Sequence, residues 1–295
     1  MDYILAADVG GTKLATALLK KEDGTVVKTL EIRSENKDGE VLFYSLVDSF
    51  KSLCVDACVN LSNISGVAVG IPGIVDVDKG IAVFQNNLPW RDFPLVERLM
   101  NEFPQSQIVV DNDVYMATWG EYTYRKFSQE TMVYVTLSTG ISCCTIHQGL
   151  FLRGSGMAGE IGFSLTGIPE TTLESSVSGP ALESKGRKQF GSPTLTLKEL
   201  MDYYYKGDEQ TVSIINEAVT ALAKELYHIL VFSDPHCIVL GGGVFNHHPE
   251  LIEAVKKRLG EYLIHPLLKG KEQRIEASVY KGEAGIYGAA SRVME

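Results

Sequence analysis

Two short apolar runs, residues 3–7 and 14–19, are separated only by Asp8-Val9-Gly10-Gly11-Thr12-Lys13. Runs this short, stopped by consecutive glycines, predict a buried strand, a tight turn and a second strand. Gly24 marks the turn into a third strand over 25–32. The chain therefore opens as a β-meander and not as a βαβ unit. The same pattern returns at 132–137 and 141–147, which flank Ser138-Thr139-Gly140. Residues 41–61 have helical spacing, with Leu42, Leu46, Phe50 and Leu53 on one face. A strand over 67–69 then stops at Gly70-Ile71-Pro72-Gly73. A helix is predicted from Pro94, and a strand over 108–110 ends in Asp111-Asn112-Asp113.

In the second half, a polar, glycine-rich stretch over 154–191 precedes a helix over 213–232, with Ile214, Ala218, Leu222, Leu226 and Ile229 on one face. A strand over 237–240 runs into Gly241-Gly242-Gly243, and a helix over 284–293 closes the chain. Each half is thus strand-turn-strand followed by αβ units. That pattern predicts two α/β lobes facing a cleft, with ligands at the carboxyl ends of the strands. A chain of 295 residues is long enough for two cores.

The formal net charge of −10 and pI of about 5.2 disfavour a nucleic-acid surface, because phosphate backbones select Lys and Arg. ATP is still admissible, since backbone N–H groups can bind phosphate without a basic surface. The five cysteines form no Cys-x-x-Cys pair and suggest no disulfide framework. No secretory signal is read at the start, and no apolar stretch reaches the roughly 18 residues that span a bilayer. The expectation is a cytoplasmic protein with no membrane partner.

The glycine turns carry the chemistry. Gly10 and Gly11 let the backbone approach a polyphosphate, Thr12 adds a hydroxyl and Lys13 a positive charge. Asp8, at a strand end, could hold the Mg²⁺ of Mg-ATP through water. The plainer reading is a hairpin that merely needs glycine. Two further turns weigh against it. Thr139 and Gly140 occupy the equivalent place in the second half, and Gly242 and Gly243 follow a buried strand, where a base or ribose needs a flat backbone surface. The spacings match neither a Walker A loop nor the dinucleotide fingerprint.

At these residues the sequence resembles the ROK family (repressors, open reading frames and kinases), and the resemblance runs over essentially the whole chain. Asp8-Val9-Gly10-Gly11-Thr12-Lys13 matches its first phosphate loop and Ser138-Thr139-Gly140-Ile141 its second. Gly70-Ile71-Pro72-Gly73 resembles its Gly-x-Pro-Gly segment and Asn87-Leu88-Pro89-Trp90 its Asn-Leu…Trp segment. Asp111-Asn112-Asp113 falls where members carry Glu-Asn-Asp, and Gly159-Glu160-Ile161-Gly162 matches the sugar-binding segment. Residues 234–243 match the adenosine side and 284–290 the closing helix.

The resemblance implies a two-lobed, actin-like (ribonuclease H-like) α/β ATPase fold with a central cleft. One lobe would be 1–114 joined by 284–295, and the other 115–283. It implies an ATP- and Mg²⁺-dependent kinase acting on a hexose or hexose derivative, usually at the 6-hydroxyl, and a homodimer. Asp113 takes the role of general base. Asn112, Glu160 and Glu174 hold other sugar hydroxyls, with Gly73 and Asn87 on the substrate side. Asp8, Gly10, Gly11, Thr12, Lys13, Thr139, Gly140, Gly242 and Gly243 face the nucleotide.

Read from the residues alone, Asp113 could equally be a helix N-cap, Glu160 a surface acid beside a loop, and Glu174 an acid favoured in a helix's first turn. The chain also departs from the family. Phe163 stands where most sugar-phosphorylating members carry a zinc-ligating histidine, and no cysteine lies between Cys144 and Cys237, so no zinc site is expected. An altered or more apolar sugar pocket is expected at Phe163. Cys143 and Cys144 replace glycines and read as packed thiols on opposite strand faces, and Tyr115 replaces an asparagine. Two other readings are a sugar sensor lacking the repressors' DNA-binding domain and an acid-phosphate kinase; Asn112 and Glu160, suited to polyol hydroxyls, speak against the latter.

Overall fold

A computed structural model describes residues 2–85, 87–167 and 170–294. Ile168 and Pro169, in the glycine-rich stretch, and Glu295, in the predicted closing segment, lie outside the described residues. In chain order the elements are β1 (Tyr3–Val9), β2 (Lys13–Lys20), β3 (Val26–Arg33), α1 (Gly39–Asp56), β4 (Ile64–Ile71), β5 (Ile74–Asp76), β6 (Ile81–Phe84), β7 (Arg91–Phe93), α2 (Leu95–Glu102), β8 (Gln107–Asn112) and α3 (Asp113–Tyr124). They continue with β9 (Thr131–Leu137), β10 (Ile141–His147), β11 (Leu150–Phe151), α4 (Leu173–Val177), α5 (Gly179–Phe190), α6 (Leu197–Tyr205), α7 (Glu209–Ser233), β12 (Cys237–Gly241), α8 (Gly243–His247), α9 (Glu250–Tyr262), β13 (Ile275–Ala277) and α10 (Ala284–Ser291). Among the described residues no helix is long and apolar enough to cross a membrane.

The chain forms two compact units, residues 1–127 with 283–295, and residues 128–282. The first runs past the break expected at 114 because α3 packs on α10, and both belong with the first sheet. That sheet has the order β3-β2-β1-β4-β8, antiparallel up to β1 and parallel from β1 to β8. Its alternation is legible in β1. Leu5, Ala7 and Val9 join a core that includes Leu42, Leu46, Phe50 and Leu53 of α1, while Ile4 and Ala6 join a second core with Ile286, Ala289 and Ala290 of α10. Burying each such Leu or Phe stabilises the unit by roughly 1.5–3 kcal/mol.

α3 and α10 approach so closely that a Cβ on Gly120 would lie 2.9 Å from both the Ala284 carbonyl oxygen and the Gly288 nitrogen. A small sheet of β5, β6 and β7, not anticipated from the sequence, follows β4.

α1 begins where Asp38 accepts the N–H groups of Glu40 and Val41 at 2.8 and 3.1 Å. It stops at Asp56, short of the expected residue 61. Cys58 turns left-handed there (φ 55°), and Val59 donates back to the Cys54 carbonyl.

The second unit is built on the order β11-β10-β9-β12-β13 and repeats the topology of the first sheet, antiparallel to β9 and parallel from β9 to β13. α7 supplies Ile214, Ala218, Leu222 and Leu226 to its core, as the spacing predicts. The glycine-rich stretch contains the two helices α4 and α5. α5 starts with Ser178 capping Ala181 and Pro180 in its first turn, and ends on left-handed Gly191. His247 and His248 close α8. His247 Nδ1 pairs with the Gly243 carbonyl, and buried His248 pairs with the Tyr205 hydroxyl.

Candidate active site

In the first unit, parallel registry sets two acidic positions on either side of a glycine. Asp8 of β1 faces Gly70 of β4, which faces Asp111 of β8, all at the carboxyl ends of their strands. The chain leaves β8 directly into α3, so Asn112 and Asp113 sit at the same edge. Asn112 is the cap: its Oδ1 accepts from Val114 and Tyr115 at 2.9 and 3.3 Å, and its Nδ2 donates to the Gly73 carbonyl at 2.9 Å. The capping role considered for Asp113 thus belongs chiefly to its neighbour, although Asp113 Oδ1 also accepts from Val114 N–H at 2.9 Å. Gly70 fits beneath: a Cβ there would meet the Asp113 Cα at 3.4 Å.

Gly73 has φ 82°, and a Cβ would collide with the Phe84 carbonyl. Glycine at 73 therefore holds the segment that anchors Asn112.

The turn between β1 and β2 is closed by Gly10 N–H donating to the Lys13 carbonyl at 2.8 Å, and Ser34 ties it down through the Gly10 and Thr12 carbonyls. Gly11 brings it against Asn87, whose Cβ would be 2.7 Å from a Cβ added at Gly11. The structure thus joins two candidate site positions that lie far apart in sequence. Lys13 Nζ meets the Glu31 carboxylate at 2.5 Å, so in this state its charge is turned along the sheet.

The carboxyl of partly buried Asp8 is strongly perturbed. Burial pushes it from the ordinary 3.8 to about 7, the charge of Asp113 pushes the same way, and Lys13 opposes both. Its side chain also lies against the first turn of α10, 3.0 Å from where a Gly285 Cβ would be. Gly285 falls in the segment matched to the closing helix, but its closeness to Asp8 is a contact only the fold reveals. Two crowded acids, with the nearest lysine engaged elsewhere, make a donor set suited to a hydrated divalent cation. Among the described residues no three His, Cys, Asp or Glu are grouped to hold a metal, so further ligands to such a cation would be water and phosphate.

In the second unit, the β9–β10 turn is closed by Ser138 N–H donating to Gly140 O at 2.8 Å. β12 runs parallel beside β9, which sets 241–243 against this turn. A Cβ on Gly242 (φ 89°) would lie 2.5 Å from the Leu137 carbonyl, and one on Gly243 4.0 Å from Ser138 Cβ. Gly242 and Gly243 therefore lie beside the start of the turn that carries Thr139 and Gly140. Gly179 at the start of α5 donates to the Ser138 carbonyl at 2.9 Å, a support that sequence reading missed because α5 lay hidden in the glycine-rich stretch.

The 159–162 segment lies flush on β10. Cys143 N–H donates to the Gly159 carbonyl at 2.8 Å, and a Cβ on Gly162 would be 2.8 Å from the Ile141 carbonyl. Exposed Glu160 has its carboxyl raised, first by partial desolvation and then by the charge of Glu174. Glu174, also exposed, is the second residue of α4, and its Oε2 accepts from Ile141 N–H at 3.3 Å.

Cys143 and Cys144 are buried, and burial, with Glu225 and Glu160, pushes the Cys143 thiol up to about 12, which leaves it inert. Phe163 is 68% exposed, so its ring lines no closed apolar wall in this state.

The sequence profile of the ROK family matches residues 4–295. A glucokinase of Pyrobaculum calidifontis is 30% identical over 98% of this chain and 95% of its own. An N-acetylmannosamine kinase of Escherichia coli is 28% identical over 97% of this chain and 96% of its own. The crystal structure of a ROK family glucokinase from Streptomyces griseus, in complex with glucose and AMPPNP, superimposes with a TM-score of 0.82 at 22% identity, covering 99% of both chains.

Proposed function

This chain belongs to the ROK family, a sugar kinase on the actin-like ATPase fold, and on that premise we propose that it transfers the γ-phosphoryl group of ATP to the 6-hydroxyl of a hexose or hexose derivative, with Asp113 as general base. The observation that carries this reading is the strand-end edge of the first unit. There Asp113 begins α3 directly after β8, beside Asp8 and packed closely over Gly70.

Phosphoryl transfer asks a protein for positioning and charge neutralisation more than for covalent chemistry. Asp113 accepts the proton as the sugar oxygen forms its bond to γ-phosphorus, and the bond from γ-phosphorus to the β-phosphate oxygen breaks, with ADP leaving. Asn112 already spends its oxygen on the α3 cap and one amide hydrogen on Gly73, so its part is to fix the entry of α3 and offer its remaining hydrogen to a hydroxyl. Glu160 and Glu174 present carboxylate oxygens suited to vicinal hydroxyls. The turn at 10–13 and the turn at 138–140 offer backbone N–H groups to phosphate oxygens. Lys13 must exchange Glu31 for phosphate to contribute its charge. Mg²⁺ bound with ATP supplies further neutralisation, and Asp8 would hold it through water.

Phe163 in place of histidine leaves the choice among glucose, fructose, N-acetylmannosamine, N-acetylglucosamine and phosphorylated β-glucosides to experiment. A coupled ADP-release assay over that panel, run beside Asp113→Asn, tests the proposal. One sugar should turn over, and the variant should lose ~10²–10⁴-fold in kcat while keeping its fold by circular dichroism. Wild-type-like turnover by Asp113→Asn would remove the general-base role. Nucleotide binding without turnover of any sugar would favour a sensor instead.

A further inference from the structure

We propose that Glu174 couples the sugar to the nucleotide: without sugar its carboxylate occupies the second phosphate turn and weakens ATP binding, and sugar hydroxyls draw it away. This rests on the reading of residues 138–140 as a phosphate turn.

α4 is held firmly. Thr172 and Ser175 form a reciprocal cap, Leu173 N–H donates to the Ser164 carbonyl at 2.8 Å, and Leu173 and Val177 are buried. That fixes the backbone of Glu174 beside β10. From there its Oε2 accepts from Ile141 N–H, the first residue past the turn, and lies where a Cβ on Gly140 would be. It also comes within 3.3 Å of a Cβ built on Gly162. The side chain of Glu174 therefore touches both the turn and the 159–162 segment, and glycines at 140 and 162 leave room for it.

An N–H at the foot of a tight turn suits an anionic oxygen. With Glu174 in place, that oxygen is a carboxylate, which competes with a phosphate oxygen for the donor and repels the phosphate charge. Among the described residues neither Glu160 nor Glu174 has a cationic partner, and the charge of Glu174 disfavours ionisation of Glu160. A polyol bound by both acids offers them hydroxyl donors in place of the Ile141 N–H, and the turn is then left to phosphate. The consequence is mutual: sugar tightens ATP, and ATP tightens sugar by the same factor. Hydrolysis of ATP in the absence of acceptor is held down as well.

The test measures binding of AMPPNP with Mg²⁺ by calorimetry, with no sugar present, to the wild type, Glu174→Gln and Glu160→Gln. Glutamine keeps the size of the side chain and removes the charge. Glu174→Gln should bind AMPPNP about 5- to 10-fold more tightly, the effect of removing one partly screened like charge a few ångströms away. It should also raise sugar-free ATP hydrolysis. Glu160→Gln, which has no contact with the turn, should stay within about twofold of wild type. Unchanged or weaker binding by Glu174→Gln overturns the proposal. So does an equal gain in Glu160→Gln, which would mark a general effect of net charge. Failure of the wild type itself to bind AMPPNP would instead sink the kinase reading, so the two failures are distinct. Thermal melts identify a misfolded variant, for which Glu174→Ala is the second arm with the same expected sign.

Discussion

Asp8→Asn isolates the electrostatic tension of the strand-end edge. The Asp8 carboxyl is raised from 3.8 to about 7 in the folded protein. A raised acid binds its proton more tightly folded than unfolded. Its contribution to stability is therefore complete below the unfolded value and falls away as pH climbs through the window from 3.8 to about 7. A gap of about three pH units corresponds to at most ~4 kcal/mol, and partial exposure lowers that to about 2–4.

Asparagine has nearly the same shape and carries no charge. In the absence of nucleotide and Mg²⁺, Asp8→Asn should match wild type near pH 4, gain steadily on it up to about pH 7, and hold its lead above. The chain has two compact units that need not unfold together, so a single melting temperature can hide the effect. Native-state hydrogen exchange of the β1 and β4 amides reads the first unit directly. A difference that is flat between pH 5 and 8, or a variant less stable than wild type at pH 8, would refute the argument.

Two further outcomes follow from close approaches. Gly73→Ala forces a side chain onto a left-handed backbone against the Phe84 carbonyl and should cost about 1–3 kcal/mol, with a raised KM for sugar because the Asn112 anchor shifts; chemical denaturation and steady-state kinetics check both. Gly288→Ala places a methyl group on the Met116 carbonyl where α3 and α10 cross, and should destabilise the first unit by about 1–3 kcal/mol; exchange that is faster in the first unit and unchanged at β9 would bear this out.

Much of the fold is legible because its signals are local. The runs at 3–7 and 14–19 extend only slightly in β1 and β2, and the periodic face of 213–232 reappears buried in α7. Elements defined by weak or mixed patterns escaped. β5 to β7 are short and half-exposed, and α5 carries Gly179, Pro180 and Gly186, which read as loop residues until Ser178 is seen to cap it. The site was legible as positions and not as contacts. Asp8, Gly11, Asn87 and Asp113 could each be named, but the approach of Gly11 to Asn87 and of Asp8 to Gly285 depends on pairing between distant strands and helices. Such pairing leaves no trace in neighbouring residues. The division of labour between Asn112 and Asp113 turns on a single backbone step at the start of α3, finer than any spacing argument resolves.

α10 fills one side of the first sheet with Ile286, Ala289, Ala290 and, just beyond its end, Val293. During synthesis, the residues of β1 have that flank uncovered until α10 has emerged, while residues 128–282 can already complete their own core. The portion made first is thus the last to mature, and Asp113, the general base of our proposal, acquires its final surroundings only after translation has passed α10. Truncations that remove a few closing residues should accordingly yield insoluble protein sooner than they yield a soluble, weakened kinase.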